Sequence, residues 1–142
     1  MLKRRLLWVA FLYGCAGLGA STVAMLLASG HMGGPDWNIP VLGGLAGALA
    51  GLLLAKPLAA SAHSGRTRLV LLLSCATVLM GSLIFGAAGA SLPSIRGQFQ
   101  NGYRDAFFTG LISPILYFWW VTIPMATCAG LLLQRRLRQH AA

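Results

Sequence analysis

The stretch that decides the fold is Gly43-Gly44-Leu45-Ala46-Gly47-Ala48-Leu49-Ala50-Gly51, inside an apolar run from Ile39 to Pro57. Gly43, Gly47 and Gly51 are four residues apart, so on a helix they share one face and leave a groove without side chains. In lipid, small residues with this spacing let helix backbones approach closely. We therefore expect the other helices to pack on this one, either within one chain or against a second copy.

The composition is typical of a membrane protein. Of the 142 residues, 57% are apolar and only 9% are charged, a balance that soluble domains of this size do not show. The formal net charge is +9, but the basic residues lie at the ends of apolar runs, so nucleic acid is not an expected partner. The excess of arginine over lysine is typical of GC-rich bacterial genomes. We expect one domain, residues 1–142, in a bacterial cytoplasmic (inner) membrane.

Four apolar segments are predicted to cross the bilayer, since about 20 helical residues span its hydrocarbon layer. The first segment follows Lys3–Arg5 and resembles a signal peptide, but no Ala-x-Ala cleavage site follows it, so we expect it to be retained. The predicted spans cover approximately residues 6–28, 40–56, 69–90 and 114–133.

Prolines mark the predicted ends and bends of these helices. Pro40 suits the first turn of the second span, and Pro57 is expected to bend or end it. The polar and basic residues 58–68 are then predicted to form a loop. Ser113-Pro114 is a helix start, and Pro124 is expected to kink the fourth span.

The connection between the third and fourth spans, residues 91–112, is predicted to hold a short amphipathic helix in the membrane interface. Its apolar residues recur every four positions, with polar residues on the remaining sides. The alternative is a solvated loop with scattered aromatic residues. The residues of the apolar stripe are Ile95, Phe99, Tyr103 and Phe107.

The distribution of charge predicts the orientation in the membrane. Nine of the eleven Lys and Arg residues lie in the N-terminus, the middle loop and the C-terminal tail, and both acidic residues lie in the other two loops. Because basic residues stay cytoplasmic, both termini are expected to be cytoplasmic, where this basic rim would bind anionic lipid head groups. The predicted fold is an all-α four-helix transmembrane bundle with an interfacial helix between helices 3 and 4.

Small residues on one side of each span are expected to form the contacts between helices. Glycine and alanine at these positions favour close packing in lipid. The residues that we expect at these contacts are Gly43, Gly47, Gly51, Gly14, Gly17, Ala126 and Gly130.

Apart from Lys56 at the cytoplasmic end of the second, the predicted spans contain no Asp, Glu, His, Lys or Arg. This argues against a proton-coupled exporter, which needs a membrane carboxylate, and against a b-type cytochrome, which needs histidine ligands. Cys15, Cys75 and Cys128 lie in apolar runs without a Cys-x-x-Cys motif, so we expect buried apolar thiols and no cofactor. Binding of a soft metal or a redox pair is the alternative.

Polar and aromatic residues in the two outer loops are the candidates for contact with a ligand or partner. They would place a few polar groups on the outer surface of the membrane. Interfacial anchoring with a surface ion pair is the alternative interpretation. The candidate residues are Asp36, Trp37, Tyr103, Arg104 and Asp105.

Three functional hypotheses follow. The first is a non-enzymatic accessory, assembly or immunity-type partner of a larger membrane system. The reason is that the helices have many small-residue faces for packing, while the spans hold no side chains that suggest catalysis or metal binding. The second is a channel or carrier for small solutes or ions, alone or as an oligomer, lined by hydroxyls and by backbone at Pro124. The third is a thiol- or metal-handling membrane protein. The hydroxyl residues of the second hypothesis are Ser21, Thr22, Ser82 and Thr122.

Overall fold

The structure, a computed structural model, describes residues 2–29, 36–97 and 100–139, and these residues form seven helices and no strand. In chain order the helices are α1 (Leu2–Ser29), α2 (Asn38–Leu53), α3 (Ala55–His63), α4 (Thr67–Ser91), α5 (Pro93–Arg96), α6 (Tyr103–Leu116) and α7 (Trp119–Gln139).

The helices are compatible with a membrane protein. Within the described ranges, two segments are long and apolar enough to cross a membrane, Arg5–Leu27 of α1 and the whole of α4. The pair α2 and α3 is bent by 68°, and the pair α6 and α7 is bent by 72°. If each bent pair is one span, the number of possible spans rises to four.

The loop predicted after the second span is largely wrong, because a further helix follows α2. Helix α2 ends at Leu53, and α3 continues through Pro57 to His63. Pro57 is the third residue of α3, where its missing N–H breaks no helical hydrogen bond. Leu58 and Ala62 are fully buried, which shows that α3 belongs to the packed core.

The predicted start of the fourth span is also wrong. Ser113 and Pro114 lie inside α6, and the 72° break falls after Leu116, at Tyr117–Phe118. Helix α7 begins at Trp119 and runs past Pro124. The main bend therefore precedes the proline that was expected to cause it.

Side chains of α7 satisfy carbonyl groups at this break. The Thr122 hydroxyl donates to the Pro114 carbonyl at 3.0 Å, and the Trp120 indole N–H donates to the Tyr117 carbonyl at 3.1 Å. In lipid, a broken helix is tolerated where such groups replace the lost backbone partners.

The predicted interfacial helix is replaced by two separate helices. The single turn α5 ends at Arg96, and α6 begins at Tyr103 after Gly102, which has a φ of 56°. Phe99, part of the predicted apolar stripe, lies outside the described residues. Helix α6 packs along α4 and forms the first part of the bent pair α6–α7.

Helices α1 and α2 form a pair whose backbones touch. A Cβ on Gly17 would collide with the carbonyl oxygen of Gly43, and one on Gly47 with the carbonyl oxygen of Tyr13. A Cβ on Gly14 would lie 3.3 Å from the Cβ of Ala48. The glycine groove of α2 thus packs against α1 of the same chain.

Helices α4 and α6 form a second pair of the same kind. A Cβ on Gly110 would lie 2.7 Å from the Cα of Gly86, and a Cβ on Gly86 would lie 2.8 Å from the carbonyl oxygen of Phe107. Neither position can accept a side chain without moving backbone.

The end of the molecule that holds the start of α1, the turn between α3 and α4 and the end of α7 is called the basic end. There the Arg136 guanidinium lies 3.8 Å from the centre of the Trp8 ring, and Arg138 donates to the Gly65 carbonyl at 3.1 Å. The opposite end, with Asp36 and α5, is called the loop end. The large buried side chains of the basic end are Val9, Tyr13, Leu58, Val70, Leu133 and Leu137.

Candidate functional site

The two acidic residues of the predicted site have local roles in turns. One carboxylate oxygen of Asp36 accepts hydrogen bonds from the backbone and side-chain N–H groups of Asn38, at 3.0 and 2.9 Å. The Asp105 carboxylate accepts a bond from the side-chain amide of Asn101 at 3.0 Å. Both arrangements stabilise the chain just before or at a helix start.

The structure does not bring the predicted loop residues together. Trp37 is 64% exposed, and Tyr103 is 51% exposed with its ring stacked on that of Phe107. Across the described ranges, no hydrogen bond or ion pair joins Asp36 or Trp37 to Tyr103, Arg104 or Asp105. Of these residues, only Asp36 lines the cavity described next.

A cavity of about 240 Å³ lies between the two helix pairs. On α1 its lining runs from Tyr13 to Met25, which is about 18 Å along the helix. The pair α1–α2 and the pair α4–α6 form its walls, Thr122 and Ala126 in the first part of α7 also line it, and the cavity is half-open to the surface. Most of its lining is alanine, glycine and larger apolar side chains, including Ile39, Val78 and Phe85.

Tyr13 forms the floor of this cavity. Its side chain is 2% exposed, and its hydroxyl lies 2.7 Å from the Ser74 hydroxyl on α4. The ring fits because two neighbouring helices carry glycine there: a Cβ on Gly51 would lie 2.9 Å from the Tyr13 Cβ, and one on Gly130 would lie 3.1 Å from its hydroxyl. The sequence analysis missed Tyr13, although a single tyrosine within an apolar run was a usable signal.

Most hydroxyls that line the cavity are already bonded to their own helices. Ser21 donates to the Gly17 carbonyl at 2.6 Å, Thr77 to that of Leu73 at 2.8 Å, and Ser82 to that of Val78 at 2.8 Å. Thr122 donates across the break, as described above. Thr22, part of the predicted polar path, bonds the Leu18 carbonyl and does not line the cavity.

Two hydroxyls on α6 differ from the others. Thr109 and Ser113 are one helical turn apart, and both line the cavity. In the part of the chain that the structure describes, neither side chain makes a hydrogen bond. Serine and threonine in a helix commonly bond the carbonyl four residues earlier, so these two hydroxyls are available as donors. The sequence analysis did not single them out.

The remaining residues expected at helix contacts lie on α7, where Ala126 and Gly130 are buried. Near the end of the same helix, the buried side chain of Gln134 donates to the Thr67 hydroxyl at 3.1 Å. That bond joins α7 to the start of α4 at the basic end, and the sequence analysis did not anticipate it.

The cysteines do not converge, and two of them are not buried as expected. Cys15 and Cys128 are exposed, while Cys75 is half-buried. Within the described residues, no group of three or more His, Cys, Asp or Glu side chains could hold a metal ion. The cavity is therefore mostly apolar, with bonded hydroxyls on several helices and free hydroxyls on α6.

Comparison of the chain with protein-family models, with curated proteins and with solved structures finds no match.

Proposed function

We propose that the chain is a single-domain, four-span protein of a bacterial cytoplasmic membrane with both termini in the cytoplasm. Each bent pair of helices connects the loop end to the basic end, as a span would. Arg66, Arg68 and Arg135 are exposed at the basic end, and the positive-inside rule assigns such an end to the cytoplasm. Anionic lipid head groups would bind there.

We further propose a non-enzymatic role as an accessory, assembly or immunity-type partner of a larger membrane system. The observation that carries this proposal is how the interior polar groups are used. Two polar contacts join helices, Tyr13 of α1 with Ser74 of α4 and Gln134 of α7 with Thr67 of α4, while the buried hydroxyls of Thr77 and Ser82 bond carbonyls of their own helix, so these interior polar groups are used within the fold. Such an interior offers a rigid scaffold and no acid–base pair.

Site-specific photo-crosslinking in native membranes tests the accessory role. A photoreactive residue replaces Leu49 on α2, Leu72 on α4 or Leu131 on α7, three exposed apolar positions on different helices. A partner should give one protein adduct from one of these faces and lipid adducts from the others. Lipid adducts alone from all three positions would contradict the accessory role.

A small-solute carrier is the second candidate, and the cavity is the observation that favours it. Ser21, Ser82 and Thr122 of the predicted path line this cavity. Passage to the basic end would require the Tyr13–Ser74 contact to open. In proteoliposomes, a carrier would show solute flux that changes when Tyr13 is replaced by alanine. Equal flux in protein-free vesicles and in vesicles with either form would remove this candidate.

A further inference from the structure

The size and shape of the cavity suit a linear apolar molecule. At about 240 Å³ it is larger than the roughly 150 Å³ engineered cavity that stays dry and binds benzene. It extends about 18 Å along α1 and is therefore elongated. A hydrocarbon chain fills such a space better than a compact ring does.

The lining favours hydrocarbon over water. A buried water needs two to four polar partners, whereas the hydroxyls of Ser21, Thr77 and Ser82 already donate to carbonyls of their own helices. Of the other polar side chains that the structure describes in the lining, Tyr13, Asp36 and Thr122 are hydrogen-bonded and only Thr109 and Ser113 are free, and the rest of the wall is apolar. An empty cavity of this kind lacks dispersion contacts, which a bound chain would supply.

The cavity is accessible from the side of α6. Thr109 is exposed and also lines the cavity, so the lining continues to the surface of the molecule. Among the described helices, α1 and α6 do not pack against each other, although both form walls of the cavity. In a membrane, the molecules that surround this opening are lipids.

One polar group of the ligand can be assigned from the free hydroxyls. Thr109 lies six residues after Tyr103, or about 9 Å into α6. The exposed ring of Tyr103 marks the level where aromatic residues meet the head groups. An acceptor about 9 Å from that level along the helix matches the ester carbonyl of a lipid whose head group lies beside Tyr103, because the ester lies between head group and chain.

We propose that the cavity binds one acyl chain of an ester lipid, with the Thr109 hydroxyl donating a hydrogen bond to the ester carbonyl and Ser113 offering a second donor one turn deeper. This site rests on the proposed membrane-spanning arrangement but not on the accessory role.

The test compares two probes that differ only at the carbonyl: palmitoyl lysophosphatidylcholine and its ether-linked analogue. Binding to the purified full chain is measured by native mass spectrometry from a detergent micelle. One neutral hydrogen bond predicts about threefold to tenfold tighter binding of the ester probe. Thr109→Val keeps the shape of the side chain and is expected to remove this difference.

A second pair of variants tests the cavity itself. A Cβ on Gly81 would have no neighbour nearer than 3.8 Å, so Gly81→Leu is expected to extend into the cavity and to weaken both probes at least tenfold. Ala87→Leu on the exposed face of the same helix is the control and should bind both probes as the wild type does.

Several outcomes would overturn the proposal. Equal affinity of the ester and ether probes for the wild type would remove the carbonyl contact, and an unchanged preference in Thr109→Val would remove Thr109 from it. These two arms remain decisive if Gly81→Leu fails to fold. Absence of binding by both probes, or tighter binding of farnesol than of the ester probe, would contradict an acyl-chain site.

Discussion

At the basic end of the molecule, large side chains from α1, α3, α4 and α7 interlock, whereas at the loop end the helices meet through glycine. Tyr13, Leu58 and Leu133 fill the space where several helices converge. Gly43 and Gly86 instead bring two backbones together and contribute no side chain. The first end is filled, and the second contains the cavity.

The difference shows what glycine packing can and cannot do. A glycine lets two helices touch, so it optimises one pairwise contact. It supplies no atoms to the space between two such pairs, and that space stays open unless larger side chains reach it. Abundant small residues therefore produce tight pairs and a hollow interior in the same half of the molecule.

The largest effect should come from removing the side chain that separates the two ends. Tyr13→Ala is expected to destabilise the protein by about 4–5 kcal/mol, because a fully buried aromatic ring is lost and the cavity extends into the core. Tyr13→Phe should cost only about 1 kcal/mol, since only the bond to Ser74 is lost. Unfolding in mixed micelles of increasing denaturing detergent measures both. Equal losses would show that the ring itself does not support the core.

A matched pair of truncations tests the contrast between the filled end and the hollow end. Leu133 and Met25 are similar in size and are 1% and 3% exposed. Leu133→Ala is expected to cost about 4 kcal/mol, because its neighbours surround it. Met25→Ala should cost about 2 kcal/mol, because its side chain already borders the cavity. The same unfolding assay measures the difference, and equal costs would contradict the distinction between the two ends.

The smallest effects on stability should distinguish a glycine where an added Cβ would collide with backbone from one where an added Cβ would fit. Gly47→Ala is expected to cost about 2 kcal/mol, because its Cβ meets the Tyr13 carbonyl. Gly81→Ala should leave stability unchanged or raise it by up to about 1 kcal/mol, since its Cβ has room and alanine favours the helix. Thermal unfolding of the monomeric fraction in detergent measures both shifts. A stable Gly47→Ala monomer would show that the α1–α2 contact is dispensable.

Local periodicity accounts for what the sequence predicted well. The spacing of Gly43 and Gly47 defines a helix face without reference to the rest of the chain, and that face packs against α1. The absence of charged side chains from the apolar runs likewise predicts helices compatible with a membrane.

Features that depend on distant partners were not predictable in this way. The bond between Tyr13 and Ser74 joins residues 61 positions apart. The break at Tyr117–Phe118 is supported by Thr122, which donates to a carbonyl eight residues earlier. The chain does bend by 68° just before Pro57, as expected, whereas Pro114 lies inside α6 and does not start a helix, because the effect of a proline depends on whether its helix needs the missing N–H and on which group satisfies the freed carbonyl.

The contact between Gly86 and Gly110 also has an evolutionary consequence. Because each glycine occupies the space that a side chain on the other would need, neither position can vary independently while α4 and α6 keep their distance. Among homologous chains, we expect the two positions to change together or not at all. At Gly81 an added Cβ would have no neighbour nearer than 3.8 Å, so alanine is expected there among homologues, and a comparison of substitution patterns would distinguish glycines that backbone contacts require from one that alanine can replace.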